Sequence, residues 1–279
     1  MALSTTLYVT ADTEVITGAY ANDNRGTANE VWVGEELGGE NTTSRGLFRF
    51  DLSSIASSTV VISSATLRLY AYGFSAGKNP NIYAYRTTSN WGEYTATWNN
   101  RPGYNQSFGN LTITNGSTGW KNITLSNSYV QYWARGTWSN YGFTLKAEDE
   151  IDDKVGFRSR EYSSGTYRAR LLIDYYDVPA VSTSSTSNIG TDRVTLNGNI
   201  TNINGNNCTT RGFQYGLSET PTWNISQSGS YGTGSYSLTP TGLFSNKIYY
   251  FRAYATNAAG TTYGSWQSFQ MPGLVGGMI

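Results

Sequence analysis

Residues 65–74, with the sequence ATLRLYAYGF, contain the alternation that decides the fold. Apolar residues at 65, 67, 69 and 71 alternate with Thr66, Arg68, Tyr70 and Tyr72. Because successive side chains of a strand point to opposite faces of a sheet, this stretch is predicted to be a strand with one buried face. Its two leucines are predicted to point into a core, and its two tyrosines away from it.

Further period-2 runs precede and follow this strand through residues 1–178. They are LYVTADTEVI, SRGLFRFDLS, NIYAYRT, NLTITNG, KNITLS, YGFTLKA, VGFRSRE and ARLLIDYYD. Gly, Asn and Ser separate them, so residues 1–178 are predicted to form an all-β sandwich of the jelly-roll type. One helix is predicted in SNSYVQYWARG, where Ser126 or Asn127 can cap the start and Gly136 can end it.

A second domain is predicted over residues 179–272. Charged residues become sparse after residue 178, and Pro179 is followed by a Ser/Thr run, which is typical of a domain boundary. Strand-like runs then recur about seven times, as in an immunoglobulin-like sandwich. Two turns are predicted in this domain, at Asn197-Gly198 and at Asn204-Gly205.

The first segment resembles a known family over residues 45–176. The stretches that carry the likeness are RGLFRFDLSSI, SATLRLYAY, WGEYTATWNNRP, YVQYWARGTWSNYGFTL, GFRSRE and ARLLIDY. They are similar to the DNRLRE domain, a jelly-roll family of large secreted surface proteins that is related to carbohydrate-binding modules. The family usually has a proline before its final strand, where this chain has Arg168-Ala169-Arg170.

The second segment resembles the fibronectin type III-like domains of bacterial and phage surface proteins over residues 180–271. The likeness rests on RGFQYG, on LTPTGLFSNKIYYFRAYATNAAGTTYG and on WQSFQM. It implies a fibronectin type III or immunoglobulin-like β-sandwich that acts as a spacer or interaction domain, with no chemistry of its own.

The composition excludes several classes of protein. Nineteen basic and nineteen acidic residues leave no net charge, so neither nucleic acid nor an anionic membrane surface is predicted as a partner. Without histidine the chain has no His base and no His metal ligand. No apolar run is long enough to span a membrane, and the start is predicted not to be a signal peptide. The single cysteine, Cys208, is predicted to be an inert thiol in a turn.

Aromatic residues are the main candidates for ligand contact. The turn FSAGKNPN is predicted to join the strand at 65–74 to NIYAYRT as a hairpin. The outward tyrosines of both strands then form one face, made of Tyr70, Tyr72, Tyr83 and Tyr85. Such a face can stack on a pyranose, contact another subunit, or be covered by another segment of the chain. Trp138 is a further exposed candidate, whereas Trp91, Trp98, Trp120 and Trp133 are predicted to lie in the core.

Acidic residues are the other candidates for chemistry. No pair of carboxylates stands out as the acid and base of a hydrolase, so the protein is predicted not to be an enzyme. Glu93 and Glu161 lie in stretches that the family pattern explains. Jelly-roll binding modules often carry a structural calcium, which makes Asp149, Asp152 and Asp153 of AEDEIDDK candidate ligands. The alternative is a solvated hairpin tip, and no other cofactor is predicted.

The first functional hypothesis is a non-enzymatic virion protein of a phage, either a capsid decoration protein or a tail or fibre component. It is predicted to assemble in the host cytoplasm, to lie on the virion surface, and to contact capsid or tail proteins, copies of itself, and cell-surface polysaccharide. The alternatives are a carbohydrate-binding module of a secreted, extracellular protein and a surface filament subunit. The apolar tail, residues 273–279, is a candidate docking peptide through Leu274, Val275, Met278 and Ile279.

Overall fold

The computed structural model describes residues 2–36 and 42–273. Within these ranges the chain contains eighteen strands and one α-helix, which confirms the predicted all-β class. No helix in the described ranges is long and apolar enough to cross a bilayer. The chain forms two compact units. Residues 4–58 and 62–175 make the N-terminal unit, and residues 176–279 with the short stretches 1–3 and 59–61 make the C-terminal unit.

Ten strands and the helix build the N-terminal unit. In chain order they are β1 (Leu3–Ile16), β2 (Glu30–Glu35), β3 (Thr43–Phe50), β4 (Val61–Ala76), β5 (Asn81–Thr87), β6 (Tyr104–Thr112), β7 (Gly119–Thr124), α1 (Asn127–Ala134), β8 (Phe143–Ala147), β9 (Asp153–Arg158) and β10 (Arg170–Tyr176). Hydrogen bonds join the strands in the order β1-β10-β4-β9-β2-β3-β8-β5-β6, and β7 pairs with β4.

The strands divide into two halves that β1 and β2 connect. β1 lies beside β10 and also pairs with β3. β2 pairs with β9 through residues 30–33 and with β3 through residues 34–35. Where β2 changes partner, Gly34 has φ +106°, and a Cβ there would lie 2.5 Å from the Asp153 carbonyl oxygen, so glycine is required. One half thus contains β10, β4, β9 and β7, and the other contains β3, β8, β5 and β6, as in a sandwich.

The inward side chains of both halves are buried. Leu67 and Leu69 of β4 point into the core, as the alternation predicts. From the other half, the ring of Phe143 in β8 lies 5.4 Å from that of Phe108 in β6. Helix α1, which forms where it was predicted, places Trp133 at 4.9 Å from Phe143. The core therefore combines aliphatic side chains of one half with aromatic rings of the other.

Two predicted hairpins are wrong. β4 pairs with β7 through residues 66–71 and with β9 through residues 71–76, whereas β5 pairs with β6 and β8. β4 and β5 lie in opposite halves, because the strands that pair with β4 and those that pair with β5 belong to different halves. Residues 77–80 cross from one half to the other. β8 and β9 are separated in the same way, so residues 148–152 are a crossing loop and not a hairpin tip.

Eight strands build the C-terminal unit. They are β11 (Ala180–Ser187), β12 (Thr195–Asn202), β13 (Cys208–Gly216), β14 (Trp223–Tyr231), β15 (Gly234–Leu238), β16 (Ile248–Asn257), β17 (Gly260–Tyr263) and β18 (Gln267–Gln270). One sheet has the order β11-β12-β15, and the other has the order β14-β13-β16-β17 with β18 paired to β16. Phe213 and Tyr236 meet between the two sheets with ring centroids 5.1 Å apart. The likeness to fibronectin type III domains stays a prediction.

Two details of this unit differ from the predictions. Asn197-Gly198 lies inside β12 and not in a turn, because Gly198 packs so closely on the core that a Cβ would meet the Cβ of Ala253 at 2.9 Å. Cys208 begins β13 and is fully buried, which raises the pKa of its thiol. Asn204-Gly205 does form a turn, with positive φ at both residues.

Candidate functional site

Three tyrosines form a row on the outer face of the half that contains β5 and β6. Tyr83 and Tyr85 point outward, because they alternate along β5 with Ile82 and Ala84, whose side chains are buried. Their ring centroids lie 5.7 Å apart, with an interplanar angle of 17°. Tyr104, the first residue of β6, continues the row at 5.0 Å from Tyr85. We call Tyr83, Tyr85 and Tyr104 the tyrosine row.

Polar side chains border one end of the tyrosine row. The Tyr83 hydroxyl donates a hydrogen bond to Glu148 Oε1 at 3.3 Å. Asn81 Nδ2 donates to the other oxygen of Glu148 at 2.8 Å, and Asn110 Nδ2 donates to Asn81 Oδ1 at 3.0 Å. These amide and carboxylate groups sit at the surface, where they are able to exchange hydrogen bonds with sugar hydroxyls.

Two arginines border the other end. A cleft of about 380 Å³ is lined there by Arg45, Arg101, Pro102, Gly103 and Tyr104. Arg45 donates two hydrogen bonds to Glu150, at 2.7 and 2.9 Å, and Glu150 also pairs with Lys146 at 3.4 Å. The Arg101 guanidinium lies 3.9 Å from the Trp98 ring centroid and donates to the Trp98 carbonyl oxygen.

Arg101 is the unbalanced charge of this cleft. Arg25, Arg45, Arg158 and Arg160 each form an ion pair with a carboxylate, whereas none is seen for Arg101 among the described residues. Burial lowers the pKa of Arg101, and the neighbouring Arg45 lowers it further. A guanidinium nevertheless stays charged in proteins, so the cleft presents a partly desolvated cation beside the aromatic row.

The opposite outer face carries the other two predicted tyrosines. Tyr70 contacts Trp120 at 5.4 Å and Tyr167 at 4.2 Å. Tyr72 lies between Trp32 and the guanidinium of Arg158, at 5.5 and 3.9 Å. The four tyrosines therefore do not form one face, because β4 and β5 belong to different halves.

Three carboxylates meet near the ends of β1 and β9. Oxygens of Asp12, Glu93 and Glu161 lie within 4.8 Å of one another, and this is the one such group of three among the described residues. The Arg160 guanidinium donates to Glu93 at 2.6 and 3.2 Å and lies 3.1 Å from Glu161. The Arg160 backbone N–H donates to Asp12 Oδ2 at 2.8 Å.

Burial raises the pKa of Asp12 to about 8, and the charges of Glu161 and Glu93 act in the same direction. Burial and Glu93 also raise the pKa of Glu161. The group therefore keeps a proton near neutral pH. Three carboxylate oxygens suit a hard cation, but Arg160 already supplies positive charge here. The arrangement is a partly buried cross-link between β1, the loop that carries Glu93, and the residues after β9.

The comparisons with known proteins agree with this architecture. Residues 4–175 match the model of carbohydrate-binding module family 96. The chain belongs to carbohydrate-binding module family 96. The match spans nearly the whole N-terminal unit, including the tyrosine row and the Arg101 cleft. No curated protein matches the chain.

Solved structures share parts of the chain at low similarity. The short form of the sensor domain of the anti-sigma factor RsgI4 from Pseudobacteroides cellulosolvens is 16% identical, with coverage of 35% of this chain and 98% of that chain, at a TM-score of 0.29. The solution structure of the same domain is 19% identical, covers 34% and 76%, and has a TM-score of 0.30. A purple acid phosphatase from yellow lupin seeds is 10% identical, covers 87% and 41%, and has a TM-score of 0.24. Likeness at this level carries no argument about function.

The family membership bears on the functional hypotheses. It supports carbohydrate binding, which was the alternative prediction, and it does not support the virion role or its capsid and tail partners. It is also in line with a binding module that lacks catalysis.

The family 96 module does not bring the predicted calcium ligands together. Asp149 is exposed and pairs with Lys78 at 3.0 Å. Asp152 has a positive φ, and its carbonyl oxygen accepts from the backbone N–H groups of Gly77 and Lys78. Asp153 is buried and accepts from the Glu35 backbone N–H at 3.0 Å, and burial raises its pKa. Calcium binding at these residues stays a prediction that the described contacts do not favour.

The remaining predicted aromatic and apolar residues have mixed positions. Trp138 is half-buried, between the Tyr132 ring at 4.7 Å and the Arg86 guanidinium at 4.4 Å. Trp91 and Trp133 are buried as predicted. Trp98 is half-buried and packs against the core cluster that contains Trp91, whereas Trp120 is half-buried on the outer face, between Arg68 and Arg170. The candidate tail residues Leu274, Val275, Met278 and Ile279 lie outside the described residues.

Two residues of the site were not predicted. Arg101 lies within the family stretch WGEYTATWNNRP, and Tyr104 follows it by two residues. No alternation of apolar and polar residues marks either side chain as outward. The available signal was their spacing in Arg101-Pro-Gly-Tyr104, since Pro and Gly turn the chain directly into β6.

Proposed function

We propose that the N-terminal unit binds a polysaccharide that carries acidic groups, with the chain lying along the tyrosine row and an acidic group contacting Arg101. The observation that carries this proposal is the cleft in which an unpaired guanidinium adjoins three outward tyrosine rings. The function is binding without catalysis, at an extracellular or cell-surface polysaccharide.

The tyrosine row supports contact with a chain of pyranose rings. Tyrosine combines an apolar ring face with a hydroxyl at its tip, so it is able to pack on a sugar and bond its hydroxyl groups. The near-parallel rings of Tyr83 and Tyr85 are 5.7 Å apart and Tyr104 follows at 5.0 Å, so the row is long enough to contact more than one sugar of a chain.

The charge of the cleft supports an acidic ligand. Arg45 is already bonded to Glu150 through both oxygens, so it offers little to a ligand. Arg101 has no carboxylate partner among the described residues, and its guanidinium carbon lies 3.9 Å from the Trp98 ring centroid. A stacked guanidinium presents its donors in a fixed fork that fits a carboxylate or a sulfate.

Binding of polygalacturonate and of neutral hydroxyethyl cellulose by native affinity electrophoresis tests the proposal. Wild type is expected to be retarded by polygalacturonate. Arg101→Gln should reduce retardation and weaken binding at this cleft about tenfold or more, because a hydrogen bond to a charged group contributes roughly 1.5–3 kcal/mol. Tyr85→Ala should weaken binding through lost stacking, by roughly 0.5–1.5 kcal/mol or more.

Matched controls are Arg25→Gln and Tyr20→Ala, which change exposed residues away from the cleft. Both should bind like wild type. Equal retardation of wild type by neutral and acidic chains would contradict the role of Arg101. Wild-type binding that survives both site variants would contradict the site.

A further inference from the structure

Two further arginines without a carboxylate partner lie together on the face opposite the tyrosine row. Arg68 of β4 and Arg170 of β10 both contact Trp120 of β7, with guanidinium carbons 4.6 and 4.5 Å from its ring centroid. Within residues 2–36 and 42–273, no ion pair is seen for Arg68 or for Arg170. Two positive charges therefore flank one indole without a carboxylate beside them.

Stacking fixes these two guanidiniums. The Nε atoms of both are buried and have no hydrogen-bond partner, as expected for groups that lie against a ring. Arg170 donates from a terminal nitrogen to the Thr166 carbonyl oxygen, which further limits its movement. The remaining terminal nitrogens are donors held in place in advance, so binding an oxyanion costs little side-chain entropy.

The surroundings of the pair resemble those of the first site. Tyr70 meets the edge of Trp120, and Tyr167 packs on Tyr70, so the aromatic surface continues along β4. Tyr8, which is 52% exposed, lies 5.6 Å from the guanidinium of Arg170. Asn122, opposite Arg68 in the β4–β7 register, adds an exposed amide.

Two carboxylates on this face, Asp174 and Glu30, have other partners. Asp174 of β10 accepts hydrogen bonds from the hydroxyls of Ser4 and Ser64, at 2.6 and 2.8 Å. Glu30 pairs with Arg158 at 3.3 Å. Positive charge at Arg68 and Arg170 is thus left for a ligand.

We infer that this face is a second binding site for an acidic polysaccharide strand, held by Arg68 and Arg170, so that one module joins two strands. This inference rests on the proposed function at Arg101. The two sites lie on opposite outer faces of one sandwich, so a single short oligosaccharide is unable to reach both. The module is therefore bivalent, and it cross-links long chains.

Titration calorimetry with a short oligogalacturonate tests the inference. Wild type is expected to bind two molecules per chain, whereas Arg68→Gln/Arg170→Gln and Arg101→Gln should each bind one, with the remaining affinity changed less than about twofold. The variant with all three substitutions should bind none, and Arg25→Gln should bind two. Circular dichroism confirms that each variant is folded, since these side chains lie outside the core.

Light scattering of long polygalacturonate gives a second measurement. Wild type should produce large cross-linked particles, and each variant that lacks one site should bind the polymer without producing them. If wild type binds one molecule per chain and only Arg101→Gln abolishes this binding, the second site is overturned and the proposed function stands. If wild type binds one molecule per chain and only Arg68→Gln/Arg170→Gln abolishes this binding, the site at Arg101 and the bivalence are overturned. No binding by wild type would overturn the proposed function and the inference with it.

Discussion

Replacing Asp12 by Asn should raise the stability of the N-terminal unit relative to wild type progressively as the pH rises from about 5 to 8. The Asp12 side chain is 1% exposed and lies with Glu93 and Glu161 around the single guanidinium of Arg160. Asn keeps an oxygen that is able to accept the Arg160 backbone N–H, and it carries no charge at any pH. The variant therefore imitates the neutral form of Asp12 at every pH.

The direction follows from the pKa of Asp12, which burial raises from 3.8 to about 8. Because the folded pKa lies above the unfolded one, the favourable contribution of protonated Asp12 is complete below about 4. It is lost progressively up to about pH 8. One pKa unit corresponds to about 1.4 kcal/mol, so three pH units give up to about 4 kcal/mol. The free energy of unfolding of the variant should exceed that of wild type by this additional amount at pH 8 compared with pH 5.

Urea unfolding followed by tryptophan fluorescence measures the difference, since six of the eight tryptophans lie in residues 4–175. Wild type and variant are compared at each pH, so that the titration of groups remote from Asp12 cancels. Asp23→Asn, at an exposed aspartate, is the control and should show no pH-dependent difference. A difference between Asp12→Asn and wild type that is constant across this pH range would refute the reasoning.

Three further predictions concern separate parts of the chain. Gly34→Ala should destabilise the N-terminal unit by several kcal/mol, because its Cβ would meet the Asp153 backbone at 2.5 Å and its φ is +106°. The control Gly116→Ala has a positive φ but open space, so it should cost only about 1 kcal/mol in thermal unfolding; equal losses would contradict the clash. Cys208, buried and with a raised thiol pKa, should react with a thiol reagent only after unfolding, and rapid labelling of the native protein would disprove its burial. Binding of polygalacturonate should weaken steeply as salt rises if Arg101 contacts the acidic groups, and salt-independent binding would contradict that contact.

Local alternation predicted the strands well because burial of one face acts on consecutive residues. Leu67 and Leu69 are buried and the tyrosines beside them point outward, as the pattern of residues 65–74 requires. Which strands pair is a different question, since it depends on edges that distant residues occupy. β4 meets β7 and β9, so the tyrosines of β4 and β5 were assigned to one face when they lie on two.

The two Asn-Gly pairs show the same limit on a smaller scale. Asn204-Gly205 has positive φ at both residues and turns the chain. Gly198 instead serves close packing in the middle of β12, where Ala253 leaves no room for a side chain. The dipeptide is identical in both places, and only contacts far along the chain distinguish them.

The candidate site follows from the same distinction. Tyr83 and Tyr85 were identified because they alternate with buried residues on one strand. Tyr104 and Arg101 reach the site from a loop and from the start of another strand, so no local period marks them. The Asp12 carboxylate group was missed for a related reason, because its members are separated by about 80 and 70 residues and are joined only by the fold.

The hydrogen bond between Ser4 and Asp174 places the beginning of β1 beside the end of β10. The family 96 module thus enters and leaves through one small area of its surface, as chain ends of compact domains often do. If residues 4–175 were inserted into a surface loop of a host protein, the two host residues that flank the insertion would need to be only a few ångströms apart. The module is accordingly suited to insertion within an unrelated protein as well as to fusion at one end. Both arrangements should leave the two outer faces free.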